Sequence, residues 1–443
     1  MELRDLIVTP ILIMVVSIVA YLVRPYVTDE ITKRYFFPAL TFKIIGAIAV
    51  GFLYQFYYDG GDTFNFHTHG SRHIWEAFID SPSMGWQLLF SKGQYLPGTY
   101  DYASKIIFFH DPASFFVVKV STLFDLLTFS SYSGTALFFA LLSFAGGWML
   151  FLSFYDRSPH LHRWQAAAAL FVPSVIFWGS GLMKDTLTFA AIGFLTYSIS
   201  YLFFKRKFSM TVLILMLLSV WILFSVKKYI LLCYLPAVLL WIYAKRLTQI
   251  RSMVLKMLVT PFVAAILILS GYYAIVLIGE DDPRYSLDRL AITARVTAYD
   301  IGFYTGRDAG SGYSLGELDG TFGGMLSKVP EAINATLFRP YLWEIRNPLM
   351  LLSAFESFVL VVLTLYVLFK KRLFLFKALS EPTVIFCLVF SLTFAFAVGV
   401  STFNFGTLAR YKIPLLPFYV LAMGYILNYS NNDRNLAELA TTE

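Results

Sequence analysis

Between Tyr57 and Gly70 the chain reads YYDGGDTFNFHTHG. This stretch places two carboxylates, Asp59 and Asp62, beside two histidines, His67 and His69. A carboxylate can take a proton from an attacking hydroxyl. A histidine can shuttle one or hold a metal ion. Gly60 and Gly61 let the chain turn tightly on leaving a helix. The stretch follows directly on a long apolar run and is too polar for lipid, so it is expected at a membrane surface, presenting an acid to a substrate. Two plainer roles compete. Either aspartate could cap the helix that follows, and histidines at i and i+2 do not share a helix face.

Other reactive side chains stand at similar junctions. Lys184 and Asp185 end the turn WGSGLMKD, where Asp185 could also complement a helix N-terminus. Lys227 and Lys228 separate two closely spaced apolar runs. Arg339, Trp343, Glu344 and Arg346 fall in LFRPYLWEIRNP, and Arg410 and Lys412 in GTLARYKIP. Lysine and arginine bind phosphate oxygens through charge-assisted hydrogen bonds. A lipid-linked phosphate would therefore suit Lys184, Lys227, Lys228 and Arg410, with headgroup anchoring as the alternative. Trp343 and its aromatic neighbours would offer an apolar platform. A divalent ion, Mg²⁺ or Mn²⁺, is an option for Asp62, Asp185 and His67, because hard cations favour oxygen ligands.

The elements that carry these residues are apolar helices. Of 443 residues, 58% are hydrophobic and only 14% charged, which excludes an ordinary soluble domain and predicts an all-α polytopic membrane protein. The net charge of +7 then belongs to basic loops and not to a nucleic-acid surface. Cys233 and Cys387 lie in apolar runs and give neither a disulfide framework nor metal-ligand spacing. The N-terminal apolar run has no small-residue cleavage site and reads as a retained helix. Apolar runs near 6–23, 37–56, 132–154, 164–181, 186–204, 209–226, 229–244, 257–278, 349–369, 382–400 and 413–428 predict about eleven spans. The segment 112–129 reads as an amphipathic helix in the interface. Two long loops, 57–131 and 279–347, share the face opposite the basic loops Arg24–Arg34, Arg157–Arg163, Lys205–Lys207, Lys245–Lys256 and Lys370–Arg372. By the positive-inside rule the basic face is cytoplasmic, with the N-terminus outside and the C-terminus inside. Within the spans only Lys43 is a notable ionisable residue, and it is expected to snorkel.

This layout resembles the GT-C superfamily of membrane glycosyltransferases over residues 37–204. Asp62 in GGDTFNF matches that family's acid in the first outer loop, residues 71–131 its interfacial part, and Asp185 the acid of the next outer loop. VPSVIFWGSGLMKD and GTLARYKIPLLPF are similar to turns in the protein mannosyltransferases and related enzymes. LFRPYLWE is similar to the arginine-bearing loops of O-antigen polymerases and ligases. One helix more precedes the acid-bearing loop, and Thr63 stands where the family has a glutamate. The resemblance implies an additional N-terminal helix (1–36), a GT-C-like core (37–204) and a variable half (205–443) in a bacterial cytoplasmic membrane. It implies transfer of a sugar from a polyprenyl-phosphate donor to a glycan, lipid or protein acceptor at the outer face. Asp62 would be the general base with Asp59 its neighbour, and Asp185 would orient a lysine or the acceptor. Lys184, Lys227, Lys228 and Arg410 would hold phosphate, and Arg339, Trp343 and Glu344 would line the substrate. A lipid-linked glycan polymerase or ligase, a transporter or flippase, and a subunit of an export machine are the alternatives.

Overall fold

The computed structural model describes residues 2–250, 310–372 and 374–429, with 289–301 and scattered single positions in between. Among the described residues the regular elements are all helices, with one isolated bridge between Gly312 and Asn404. The chain is an all-α, multi-pass membrane protein. Seven of its described helices are long and apolar enough to cross a bilayer: Leu3–Val27, Lys33–Phe56, Tyr132–Tyr155, Lys184–Phe204, Lys228–Thr248, Pro348–Lys370 and Pro382–Thr402. At 1.5 Å per residue each covers the roughly 30 Å of hydrocarbon.

The expectation of about eleven spans is corrected by this count. The apolar stretch 164–181 is interrupted. One helix ends at Leu170, and a separate one opens at Pro173, which stands in its first turn, where the missing N–H leaves no bond unmade. The stretches 209–226 and 413–428 form helices of 17 and 13 residues, short of the usual ~20. The stretch 257–278, apart from scattered single positions, and the C-terminal tail 431–443 lie outside the described residues.

The chain divides into two compact units, one of Met1–Arg157 with Ala169–Lys228 and one of Ser158–Ala168 with Tyr229–Glu443. In the first, the long helices are α1 (Leu3–Val27), α2 (Lys33–Phe56), α8 (Tyr132–Tyr155), α11 (Lys184–Ile199, extended by a wide turn to Phe204) and α12 (Met210–Val226). The intervening α3 (Asp62–Phe66), α4 (Arg72–Asp80), α5 (Pro82–Phe90), α6 (Tyr100–Ala103) and α7 (Pro112–Thr128) fold the first long loop. Of the broken stretch, α10 (Pro173–Phe177) belongs to this unit, and α9 (His162–Leu170) falls to the second unit as far as Ala168. Helices α8 and α11 approach closely through Gly146 and Gly193. A Cβ on Gly193 would fall 2.1 Å from the Gly146 carbonyl oxygen, so only glycine fits.

The two ends of this unit differ. At one end the first loop packs on the helix termini. Phe66, Ile74, Leu88, Phe109, Phe115 and Val118 share a core with Phe139 of α8 and Leu187 of α11. Asp5 of α1 accepts bonds from Ser131 (2.7 Å) and the Ser133 amide (3.1 Å), which brings the N-terminus to the same end. At the other end Asp29 accepts from Tyr155 at 2.7 Å, and Lys205 meets Asp156 at 2.5 Å. The basic connections 24–34, 156–157 and 205–207 are thus gathered away from Asp62. Helix α7 packs one face on the unit and leaves Leu123, Leu126 and Leu127 exposed on the other. Val117, Val118 and Asp125 are buried, and Lys119 donates to the Ser91 carbonyl.

The second unit holds α13 (Lys228–Gln249), α14 (Leu290–Ile301), α15 (Phe322–Ser327), α16 (Val329–Phe338), α17 (Pro348–Lys370), α18 (Leu375–Leu379), α19 (Pro382–Thr402), α20 (Phe405–Tyr411) and α21 (Leu416–Asn428). Its core is aromatic. Trp241 stacks on Phe386 at 4.2 Å, and Tyr234, Phe390 and Phe418 interlock beside them. The glycine-rich part of the second long loop is pinned to the α19–α20 turn. Tyr313 donates its amide to the Phe403 carbonyl (3.0 Å), and Phe405 donates to that of Ser311 (2.9 Å).

Candidate functional site

Helix α2 runs out at Phe56, and the chain turns through three left-handed residues, Asp59 (φ 52°), Gly60 (φ 123°) and Gly61 (φ 109°). The glycines take this conformation without steric cost. Asp59 is exposed on the turn, and Asp62 is the half-buried first residue of α3. The residue that caps α3 is Gly61, so neither aspartate occupies the N-cap.

The helix then widens over His67–Ser71, and this wide turn sends the two histidines apart. His69 is exposed, whereas His67 is fully buried. Its Nε2 lies 3.3 Å from Asp125, off the angle that a hydrogen bond needs. Asp125 accepts from Ser71 (2.6 Å) and Thr135 (2.5 Å). Thr63 and Tyr132 share a 2.8 Å bond nearby. This buried polar cluster ties α3, α7 and α8 together. Sequence reasoning missed the cluster, and its one visible signal was Asp125, one of two charged residues in a largely apolar helix.

The expected Mg²⁺ or Mn²⁺ site is not formed. Among the described residues no three His, Cys, Asp or Glu side chains converge as ligands. His67 points to Asp125, and Asp185 is held by Lys227, so the trio Asp62, His67 and Asp185 does not assemble around an ion.

Asp185 and Lys227 are joined at 2.5 Å, both buried, which links the start of α11 to the end of α12. Lys184, one residue earlier, lies 3.4 Å from Asp111, the N-cap of α7. Burial pushes the Asp111 carboxyl up. Lys184, the Ser114 hydroxyl and the Ala113 amide outweigh this and hold it below its ordinary value. Asp111 was not singled out in the sequence, although Asp-Pro-x-Ser is a helix-start signature. Lys228 diverges from Lys227 and lies 4.9 Å over the Phe224 ring. Lys43 does not snorkel. It is 2% exposed and donates to Ser143 (2.8 Å) and to the carbonyls of Val175 (2.8 Å) and Gly179 (3.2 Å), beside the broken stretch.

In the second unit Arg339 and Glu344 form a fork, with Nε 3.1 Å from both carboxylate oxygens and a further bond from Nη2. The guanidinium stands 5.2 Å from the Phe405 ring centre and 5.6 Å from that of Tyr313. The hydrogen bonds that Arg339 donates to Glu344 push the Arg339 pKa up. Burial raises Glu344, but the guanidinium and the Tyr341 amide bring it below its ordinary value of 4.5. Trp343 stacks on Tyr341 at 4.8 Å and stays 81% exposed. Arg410 is half-buried on α20. Lys412, also of that turn, is buried 3.7 Å from Glu356 and 3.3 Å from Ser357, which in turn donates to the Arg339 carbonyl. Glu356 lies within a span and was overlooked in the sequence.

The candidate residues therefore fall into two groups. The first unit holds Asp59, Asp62, Lys184, Asp185, Lys227 and Lys228, and the second holds Arg339, Trp343, Glu344 and Arg410. In the first group a half-buried carboxylate and fixed ammonium groups occupy the same end of an apolar bundle. That arrangement can bind an anionic headgroup and accept a proton. No known family pattern, characterised protein or solved structure matches this chain.

Proposed function

We propose that this chain is a glycosyltransferase of the GT-C kind. It takes a sugar from a polyprenyl-phosphate carrier and passes it to an acceptor hydroxyl at the outer face of a bacterial cytoplasmic membrane. The observation that carries the reading is the sorting within the first unit. Asp62, Lys184 and the Asp185–Lys227 pair sit at the end where the first long loop folds, and the basic connections sit at the other. Under the positive-inside rule the first end is outside, with the N-terminus beside it. Asp62 acts as general base on the acceptor. Lys227, oriented by Asp185, and Lys184 stabilise the phosphate as the glycosidic bond breaks. Lys228, Arg410 and the Arg339–Glu344–Trp343 group serve donor or acceptor binding.

Replacement of Asp62 tests this. Asp62→Asn keeps shape and inserts normally, but cannot take a proton. Transfer of labelled sugar from polyprenyl-phosphate donor in proteoliposomes is expected to fall roughly 10²–10⁴-fold, with Asp59→Asn close to wild type. Near-normal transfer by Asp62→Asn would remove the base assignment. A transporter or flippase is the second reading, favoured by Lys43 and Glu356, which are buried inside spans. It predicts the reverse pattern, with Lys43→Met inactive and Asp62→Asn active.

A further inference from the structure

The first loop contains a groove that the transfer chemistry does not use. It lies between α4 and α6, has a volume of about 320 Å³, and is lined by Trp75, Glu76, Asp80, Asp101, Tyr102 and Lys105. This is at the lower end of the ~300–1,000 Å³ typical of ligand sites. Two of its carboxylates are already oriented. Tyr102 donates to Asp80, and His73 lies 2.9 Å from Glu76. Asp101 is exposed at the rim opposite.

We infer that this groove binds a neutral glycan unit. The lining decides the class of ligand. Three carboxylates against the one Lys105 ammonium repel an anion, and a simple cation, although drawn by the carboxylates, leaves Lys105 and the two aromatic rings without a partner. A polyol is uncharged and both donates and accepts, so it suits carboxylate and ammonium together. The C–H face of a sugar ring packs against an indole or phenol ring; Tyr102 supplies the phenol, and Trp75, whose ring also holds the Arg4 guanidinium at 5.7 Å, the indole. Carboxylates held in place by His73 and Tyr102 lower the ordering cost of binding. The inference rests on the transferase reading only in naming this glycan the acceptor; the binding itself stands apart from transfer.

The test uses the full chain in nanodiscs and saturation-transfer NMR with lactose, maltose and diacetylchitobiose. Spermidine and diglycine probe cationic and zwitterionic ligands. At least one disaccharide is expected to bind, and Trp75→Ala and Asp101→Asn should each weaken it roughly tenfold, the loss of about one charge-assisted bond or its equivalent in packing. Trp86→Ala, on the exposed face of α5, should leave binding unchanged. Asp101→Asn alters only an exposed carboxyl, so an unchanged melting temperature keeps the test open even if Trp75→Ala misfolds. Binding of no disaccharide, equal binding by Asp101→Asn, or binding of spermidine or diglycine alone overturns the site. Binding without sugar transfer would count against the transferase reading and leave the glycan site standing.

Discussion

Asp185–Lys227 in the first unit and Arg339–Glu344 in the second have the same formal chemistry in opposite settings. The Lys227 and Asp185 side chains are 7% and 4% exposed, those of Arg339 and Glu344 both 20%. The first joins two helix ends at a single contact of 2.5 Å. The second is a planar fork five residues apart in sequence, with aromatic rings around the guanidinium. A buried pair loses much of its Coulomb gain to desolvation, so it does little for net stability. A forked, half-exposed pair desolvates less and holds its geometry through two bonds. The contrast teaches that Asp185–Lys227 is the costly arrangement, and a costly arrangement at one end of an apolar bundle is where function is to be sought.

That contrast is broken most strongly by removing one partner. Asp185→Asn or Lys227→Met leaves a buried charge without the partner it has at 2.5 Å. Each is expected to cost about 3–5 kcal/mol of unfolding free energy. The double variant Asp185→Leu/Lys227→Met removes both charges and should recover most of that loss, while sugar transfer stays abolished. Denaturant unfolding in mixed micelles, paired with the transfer assay, reads both. Single variants as stable as wild type would mean that the pair is not buried as described. A double variant that also regains transfer would make the pair purely structural.

Glu344 sharpens the other side. Glu344→Gln keeps shape but breaks the charged fork, for an expected loss of about 1–2 kcal/mol after allowance for solvent screening. The sign with pH follows from its depressed pKa. Folding lowers the carboxyl below 4.5, so its contribution is complete above that value and is lost as pH falls through the folded pKa. The stability gap between wild type and Glu344→Gln should be flat above about pH 5 and close in more acidic solution. A gap that persists unchanged at low pH would assign the effect to packing.

Legibility in the sequence followed the same division between spans and buried polar contacts. Hydropathy located Leu3–Val27, Lys33–Phe56 and the five other long helices, because lipid demands continuous apolar runs. It counted more long helices than the described residues hold: 164–181 is broken before Pro173, which a run-length test does not weigh, and 209–226 and 413–428 form helices of only 17 and 13 residues. The turn residues Asp62, Lys184, Asp185 and Lys227 were visible because charge beside an apolar run is conspicuous. Asp125 showed only as a charge within 112–129, and Ser71 and Thr135 not at all, since the three form one cluster only after α7 packs against α8 and the wide turn. Lys43 was visible but misplaced. Snorkelling depends on what surrounds a residue, and here Ser143 and two carbonyls take its protons inward.

The smallest effect is expected at Lys184–Asp111, which tests whether exposure, and not position near the proposed site, governs these pairs. The side chains are 26% and 46% exposed and lie 3.4 Å apart. An ion pair this wet is worth about 0.2–1 kcal/mol. Asp111 has a second task, since it caps α7 through the Ala113 amide and the Ser114 hydroxyl. Asp111→Ala would lose cap and pair together, about 1 kcal/mol more than the pair alone. Asn caps as well as Asp, so Asp111→Asn removes the pair and spares the cap. A double-mutant cycle of Asp111→Asn with Lys184→Met therefore isolates the coupling. It should lie within 0.2–1 kcal/mol at low salt and vanish near 1 M, where the Debye length is about 3 Å. A coupling that survives high salt would place this pair with Asp185–Lys227, as a desolvated contact. Lys184→Met would then cost as much in sugar transfer as in stability, and the two lysines would have to be assigned one shared role at the phosphate.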